Sequence, residues 1–129
     1  MTKKAKGQDQ GTIPSRKISE TLMQFAEPLL KELPVDHSIE ALESIIKVAT
    51  CVWNACALDQ WHKTTSYTDK LKNQFGPNIS NDIVIINALI ARKKHLYGDD
   101  PRAITNETVV VDNGEFRLRA EARVKPTVH

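Results

Sequence analysis

Val109-Val110-Val111-Asp112-Asn113-Gly114-Glu115-Phe116-Arg117-Leu118 decides how this chain folds. Asn-Gly is the dipeptide that tolerates positive φ at both central positions of a type I′ turn, whose twist matches the strands on either side. With a two-residue turn, Val111 faces Phe116 and Val109 faces Leu118, followed on the same side by Glu107 with Ala120 and Thr105 with Ala122. The opposite face sets Val110 against Arg117, Thr108 against Arg119, Asn106 against Glu121 and Ile104 against Arg123, a surface suited to water. One register satisfies both faces, so the pairing is specified by the residues themselves. An isolated hairpin is marginal in water and must lean on other apolar surface.

Everything upstream reads as helix. Ile18, Leu22, Phe25, Ala26, Leu29 and Leu33 fall on one stripe of a first helix, with Ser15 or Ser19 as candidate N-caps. Pro28 removes a backbone donor and predicts a kink or break, and Pro34 predicts the end. With Asp36 or Ser38 as cap, Leu42, Ile45, Ile46, Ala49, Val52, Trp53 and Cys56 then step by threes and fours along a second helix. Residues 48–58 are apolar almost all round, the composition of a helix covered on most sides, so this is the expected central helix. Residues 61–66 read as a polar connector. Ser66 is the candidate cap of a third helix that shares Tyr67, Leu71 and Phe75 on one side and closes at Gly76-Pro77. Ser80 opens a fourth, with Ile83, Ile86, Leu89, Ile90, Leu96 and Tyr97 as its apolar set and Arg92, Lys93, Lys94 and His95 near its carbonyl end. Gly98 ends it. The expected fold is therefore α+β: about four helices in a bundle, followed by a C-terminal two-stranded antiparallel β-hairpin.

The 129 residues suit one domain that folds without staples, drawn here as a basic, disordered tail over residues 1–14 and a single domain over 15–129. The net charge of +2 divides unevenly. Residues 1–17 hold five cations against Asp9 alone, while the remaining 112 sum to −2. A basic balance concentrated in a tail does not describe a nucleic-acid-binding fold. Cys51 and Cys56, about 140° apart round one helix, are expected to be small buried hydrophobes and not a disulfide or metal pair. Reduced cysteines and the absence of an apolar leader point to a cytoplasmic protein. The apolar run is too short to span a bilayer, so no membrane partner is expected.

Chemistry is sparse. The four histidines lie on different segments, and the five glycines form no phosphate cradle. His95 with Asp99 and Asp100 is the nearest approach to a metal set, but loop acids beside a basic helix end account for it. No cofactor is expected, and no acid–base pair or activated nucleophile stands out, so an enzyme is not the expectation. Asn54, within the apolar run, needs hydrogen-bond partners such as a loop carbonyl. Trp53 and Trp61 differ by about 80° in direction and, with Asn54 and His62, form the candidate pocket. Arg117, Arg119 and Arg123 on one strand face are the candidate phosphate or partner contacts. Val109, Val111, Phe116 and Leu118 are the candidate self-association surface. The expected role is a protein-interaction or structural protein that forms a homo-oligomer, with a nucleic-acid accessory role, through the tail and the Arg face, as the alternative.

Overall fold

The computed structural model describes residues 17–34, 36–75 and 80–125. The proposed tail, the candidate cap Ser15 and the Gly76-Pro77 stop lie outside them. Four helices precede one hairpin: α1 (Ile18–Leu30), α2 (Ile39–His62), α3 (Ser66–Phe75), α4 (Ser80–Leu96), β1 (Ala103–Asp112) and β2 (Glu115–Arg123). The expected α+β architecture is the observed one.

α2 is central: it touches α1, α3, α4 and β1. Ser38 Oγ accepts from the Ala41 N–H at 3.1 Å and starts the helix, and Lys63, with φ 54°, ends it in the left-handed region. Trp61 and His62, expected in a connector, form its last turn. The 24-residue helix is long and apolar enough by length and composition to cross a bilayer, which the shorter run of residues 48–58 did not lead us to expect. In this fold its Leu42, Ile46, Ala49, Val52, Trp53 and Cys56 stripe is buried in the core. Cys51 is exposed, contrary to expectation, because it lies off that stripe.

The core closes on an aromatic trio. Phe25 meets Trp53 edge-on at 5.3 Å and Tyr97 at 5.9 Å, and Trp53 lies 5.5 Å from Tyr97. α1 begins after Lys17 with no side-chain cap, and Ser19 sits inside the helix. Of the kink or break expected at Pro28, the break does not occur: α1 runs through it to Leu30, and residues 32 and 33 extend it by tighter turns, the Leu33 N–H reaching the Leu30 carbonyl at 3.1 Å. Pro28 has no N–H for the Gln24 carbonyl four residues back. That carbonyl instead accepts from Arg92 Nη2 at 2.8 Å, and the Phe25 carbonyl accepts from Arg92 Nε at 3.1 Å. The defect thus becomes a cross-link from α1 to α4.

α3 takes its cap from a neighbour and not from Ser66. Asp59 on α2 accepts from the backbone N–H of Tyr67 at 2.9 Å and Thr68 at 3.3 Å, and from the Thr68 hydroxyl at 2.7 Å. On α4, Leu96 is 61 % exposed and the inward position expected for it belongs to Lys93. A side chain at Gly98 would place its Cβ 2.7 Å from the Lys94 carbonyl oxygen, so the chain can leave α4 this tightly only with glycine.

The hairpin has the expected type I′ turn, with positive φ at Asn113 (54°) and Gly114 (80°), and the expected register from Asp112↔Glu115 to Asn106↔Glu121. The pairing then shifts: Thr105 is an extra residue, so Ile104 faces Ala122 and Ala103 faces Arg123. This β-bulge corrects the expected Thr105–Ala122 and Ile104–Arg123 pairs. It turns Ile104 from the polar face to the core, where it is 6 % exposed.

Candidate interaction surface: an anchored base and an uncovered edge

Trp53, Asn54 and Trp61, the candidate pocket residues, converge on one short piece of backbone. Trp53 Nε1–H donates to the Arg102 carbonyl at 2.8 Å, and Trp61 Nε1–H donates to the Pro101 carbonyl at 2.6 Å. Asn54 Oδ1 accepts from the Ile104 N–H at 2.7 Å while its Nδ2 donates to the Ile104 carbonyl at 2.9 Å. The amide therefore satisfies both backbone groups of one strand residue, as a neighbouring strand would. These three residues form a clamp for the start of β1. His62 stands apart from it, exposed and stacked at 5.8 Å on Tyr67.

The end of β2 is fastened to the same end of α2. Arg123 lies over the Trp61 ring at 5.9 Å, and Lys125 Nζ donates to the Trp61 carbonyl at 2.8 Å. The last turn of a helix leaves such carbonyls without intrahelical donors.

Beneath the clamp sits a buried charge cluster that the sequence did not announce. Asp100 and Arg102 form a two-pronged ion pair, Nη2 to Oδ2 at 2.6 Å and Nε to Oδ1 at 2.9 Å, and Arg102 Nη2 reaches Thr21 Oγ1 at 3.2 Å. Lys93, 2 % exposed, donates to the Tyr97 carbonyl at 2.8 Å and the Asp100 carbonyl at 3.0 Å, with its ammonium 4.4 Å from the Trp53 ring centroid. Burial pushes the Lys93 pKa below the usual lysine value, against the opposing pull of Asp100. Burial likewise pushes the Cys56 thiol up, which works against a nucleophilic role. Lys93 was legible in principle, since it continues the spacing Ile86, Ile90, Lys93, Tyr97 along the inner face of α4. Its charge and its place near the carbonyl end of α4 favour the opposite reading from sequence, a cation set toward the helix dipole. Among the described residues, no group of three or more His, Cys, Asp or Glu could hold a metal ion.

From this base the hairpin extends along the helices, and its coverage changes along its length. Val109 is buried, and Leu118, Ala120 and Ala122 pack partly against the core. Val111 and Phe116, on the same side, are 57 % and 41 % exposed, and the His37 ring lies 5.3 Å from that of Phe116. The expected packing face is thus covered at its base and open at its tip. Among the described residues, β2 is the one element without a buried residue. Arg117, Arg119 and Arg123 stand on its exposed polar face, interleaved with Glu115 and Glu121, and Arg117 pairs with Asp112 at 3.2 Å. Among the described residues β2 pairs only with β1, and beside it an open groove of about 670 Å³ is bounded by Lys17, Ser19, Glu20 and Met23 of the α1 end and by residues 117–120.

Compared with protein-family models, curated proteins and solved structures, the chain matches none.

Proposed function

We propose that this protein is a self-associating interaction module whose binding element is the terminal hairpin. One observation carries the reading: β2 contains no buried residue, and the Val111–Phe116 pair at its tip remains open to water, while the base of the same ribbon is clamped to the core. Apolar side chains of a strand beside an unpaired edge mark a surface that gains by being covered. The clamp supports the same reading, because a ribbon whose base is held by Trp53, Asn54 and Trp61 loses little freedom when a partner adds to it. The arginines of β2 share their face with Glu115 and Glu121, so the face carries both signs, a pattern that suits a protein surface better than a phosphate backbone.

Sedimentation velocity across the micromolar range tests the proposal. The expected result is a concentration-dependent shift from the 14.5 kDa protomer to twice that mass, weakened by Phe116→Ser with the circular dichroism unchanged. A single protomer-sized species throughout would overturn it.

A further inference from the structure

We infer that the outer edge of β2 pairs antiparallel with the same edge of a second copy, about a two-fold axis at Arg119, to make a continuous four-stranded sheet. This rests on the hairpin being the self-associating element and adds which partner, which edge and which register.

Three observations lead there. The first is edge availability. α2 flanks β1, and Asn54 occupies both backbone groups of Ile104, so the start of β1 is closed to a new strand. α1 touches β2 as α2 touches β1, but among the described residues no side chain takes up the outward backbone groups of β2, and an open groove lies between that strand and the start of α1.

The second is the hydrogen-bond pattern. A two-residue turn makes Asp112↔Glu115 a hydrogen-bonded pair, so the odd-numbered residues of β2 bond to β1. Phe116, Leu118, Ala120 and Ala122 therefore direct their N–H and C=O groups outward. These residues also carry the apolar face, so an added strand would bring its own apolar side toward Met23 and the helices.

The third is charge, and it selects the register. A strand paired with its own copy about a two-fold axis at residue c sets each residue k opposite 2c − k. About Arg119, Arg117 faces Glu121 of the second copy and Glu115 faces Arg123, each twice by symmetry, while Phe116 faces Ala122 and Leu118 faces Ala120. All nine residues of β2 take part, and the one like-charge pair is Arg119 with its twin at the axis. Moving the axis to Leu118 sets Arg117 against Arg119 and Glu115 against Glu121, all like pairs. Moving it to Ala120 keeps an opposite pair, Arg119 with Glu121, but sets Arg117 against Arg123 and takes Glu115 past the end of the strand. Opposite charges directly across a strand pair attract and like charges there repel, so the strand is complementary to itself in the Arg119 register.

Charge reversal with rescue tests this on the full chain. Arg117→Glu and Glu121→Arg each turn two opposite pairs into like pairs and should each weaken dimerisation roughly tenfold or more, read by sedimentation. The double variant Arg117→Glu/Glu121→Arg restores the opposition and should return to within roughly threefold of the parent. It also keeps the loss of the Arg117–Asp112 contact within the chain, so its recovery can come only from the partner strand. A second readout is covalent. In a Cys51→Ser background, Arg119→Cys places two thiols across the axis in a pair not hydrogen-bonded to each other, whose spacing suits a disulfide. Oxidised glutathione, taking two electrons and two protons from the thiols, should then yield a cross-linked dimer. A dimer that neither cross-links at residue 119 nor recovers in the double variant would overturn the register and leave self-association standing. A protomer under all conditions would overturn both.

Discussion

Asn54 is a single amide that does the work of a strand. With both of its hydrogen bonds spent on Ile104, Asn54→Ala leaves a part-buried N–H and C=O unsatisfied, and the expected loss is about 1–3 kcal/mol in urea unfolding. Asn54→Asp should be no milder, because a carboxylate accepts from the N–H but faces the Ile104 carbonyl without a proton to give. A loss below about 0.5 kcal/mol for Asn54→Ala would show that the clamp contributes little. Lys93 sets a second expectation, on pH. Its folded pKa lies below its unfolded one, so between the two values the unfolded chain binds the extra proton. Stability should therefore rise with pH through that window, relative to Lys93→Met, in which that titration is absent. Parallel pH profiles for the two proteins would contradict the burial penalty. Asn54 was legible as a residue needing partners, and a loop carbonyl was among those expected. That its partner would be Ile104, and would use both ends of the amide, follows from a β-bulge fifty residues away that local pattern does not encode.

At the scale of elements, the chain shows how a local defect is used by a neighbour. Pro28 was expected to kink or break α1; the helix continues through it, and Arg92 supplies donors to the Gln24 and Phe25 carbonyls. Arg92→Met should cost about 1–2 kcal/mol, since hydrogen bonds from a charged group exceed neutral ones. In a Pro28→Ala background the restored N–H takes over the Gln24 carbonyl, so the same substitution should cost less. A double-mutant cycle would show this as a coupling of about 0.5–1 kcal/mol, and strict additivity would refute it. Helix and strand identities were legible from period and turn chemistry, and so was the register through Asn106↔Glu121. The Thr105 bulge was not, because it is imposed by the pull of Asn54 and the core on Ile104. The cap of α3 was misread for a related reason. Ser66 is the local candidate, but Asp59, adjacent only in the folded chain, accepts from the backbone N–H groups of Tyr67 and Thr68 and from the Thr68 hydroxyl.

For the molecule as a whole, two materials do different jobs. The helices close round Phe25, Trp53 and Tyr97, and a ribbon is fixed to their outside at one end. The candidate surfaces sort accordingly: Trp53, Asn54 and Trp61 hold the ribbon, with Arg123 laid over Trp61, Val109 and Leu118 seat it, and Val111, Phe116, Arg117 and Arg119 are left outward. The sequence showed that this face of the ribbon needed cover. It did not show that the cover stops short of the tip, because where a helix surface ends relative to a strand depends on how the two are docked. The seal that Asn54 places on β1 has a further consequence. A sheet with two receptive sides can accrete copies without end, whereas one with a single receptive side terminates after one addition. In the proposed pairing the amide on the central helix would act as a chain stopper at the start of β1, favouring a finite pair over a filament.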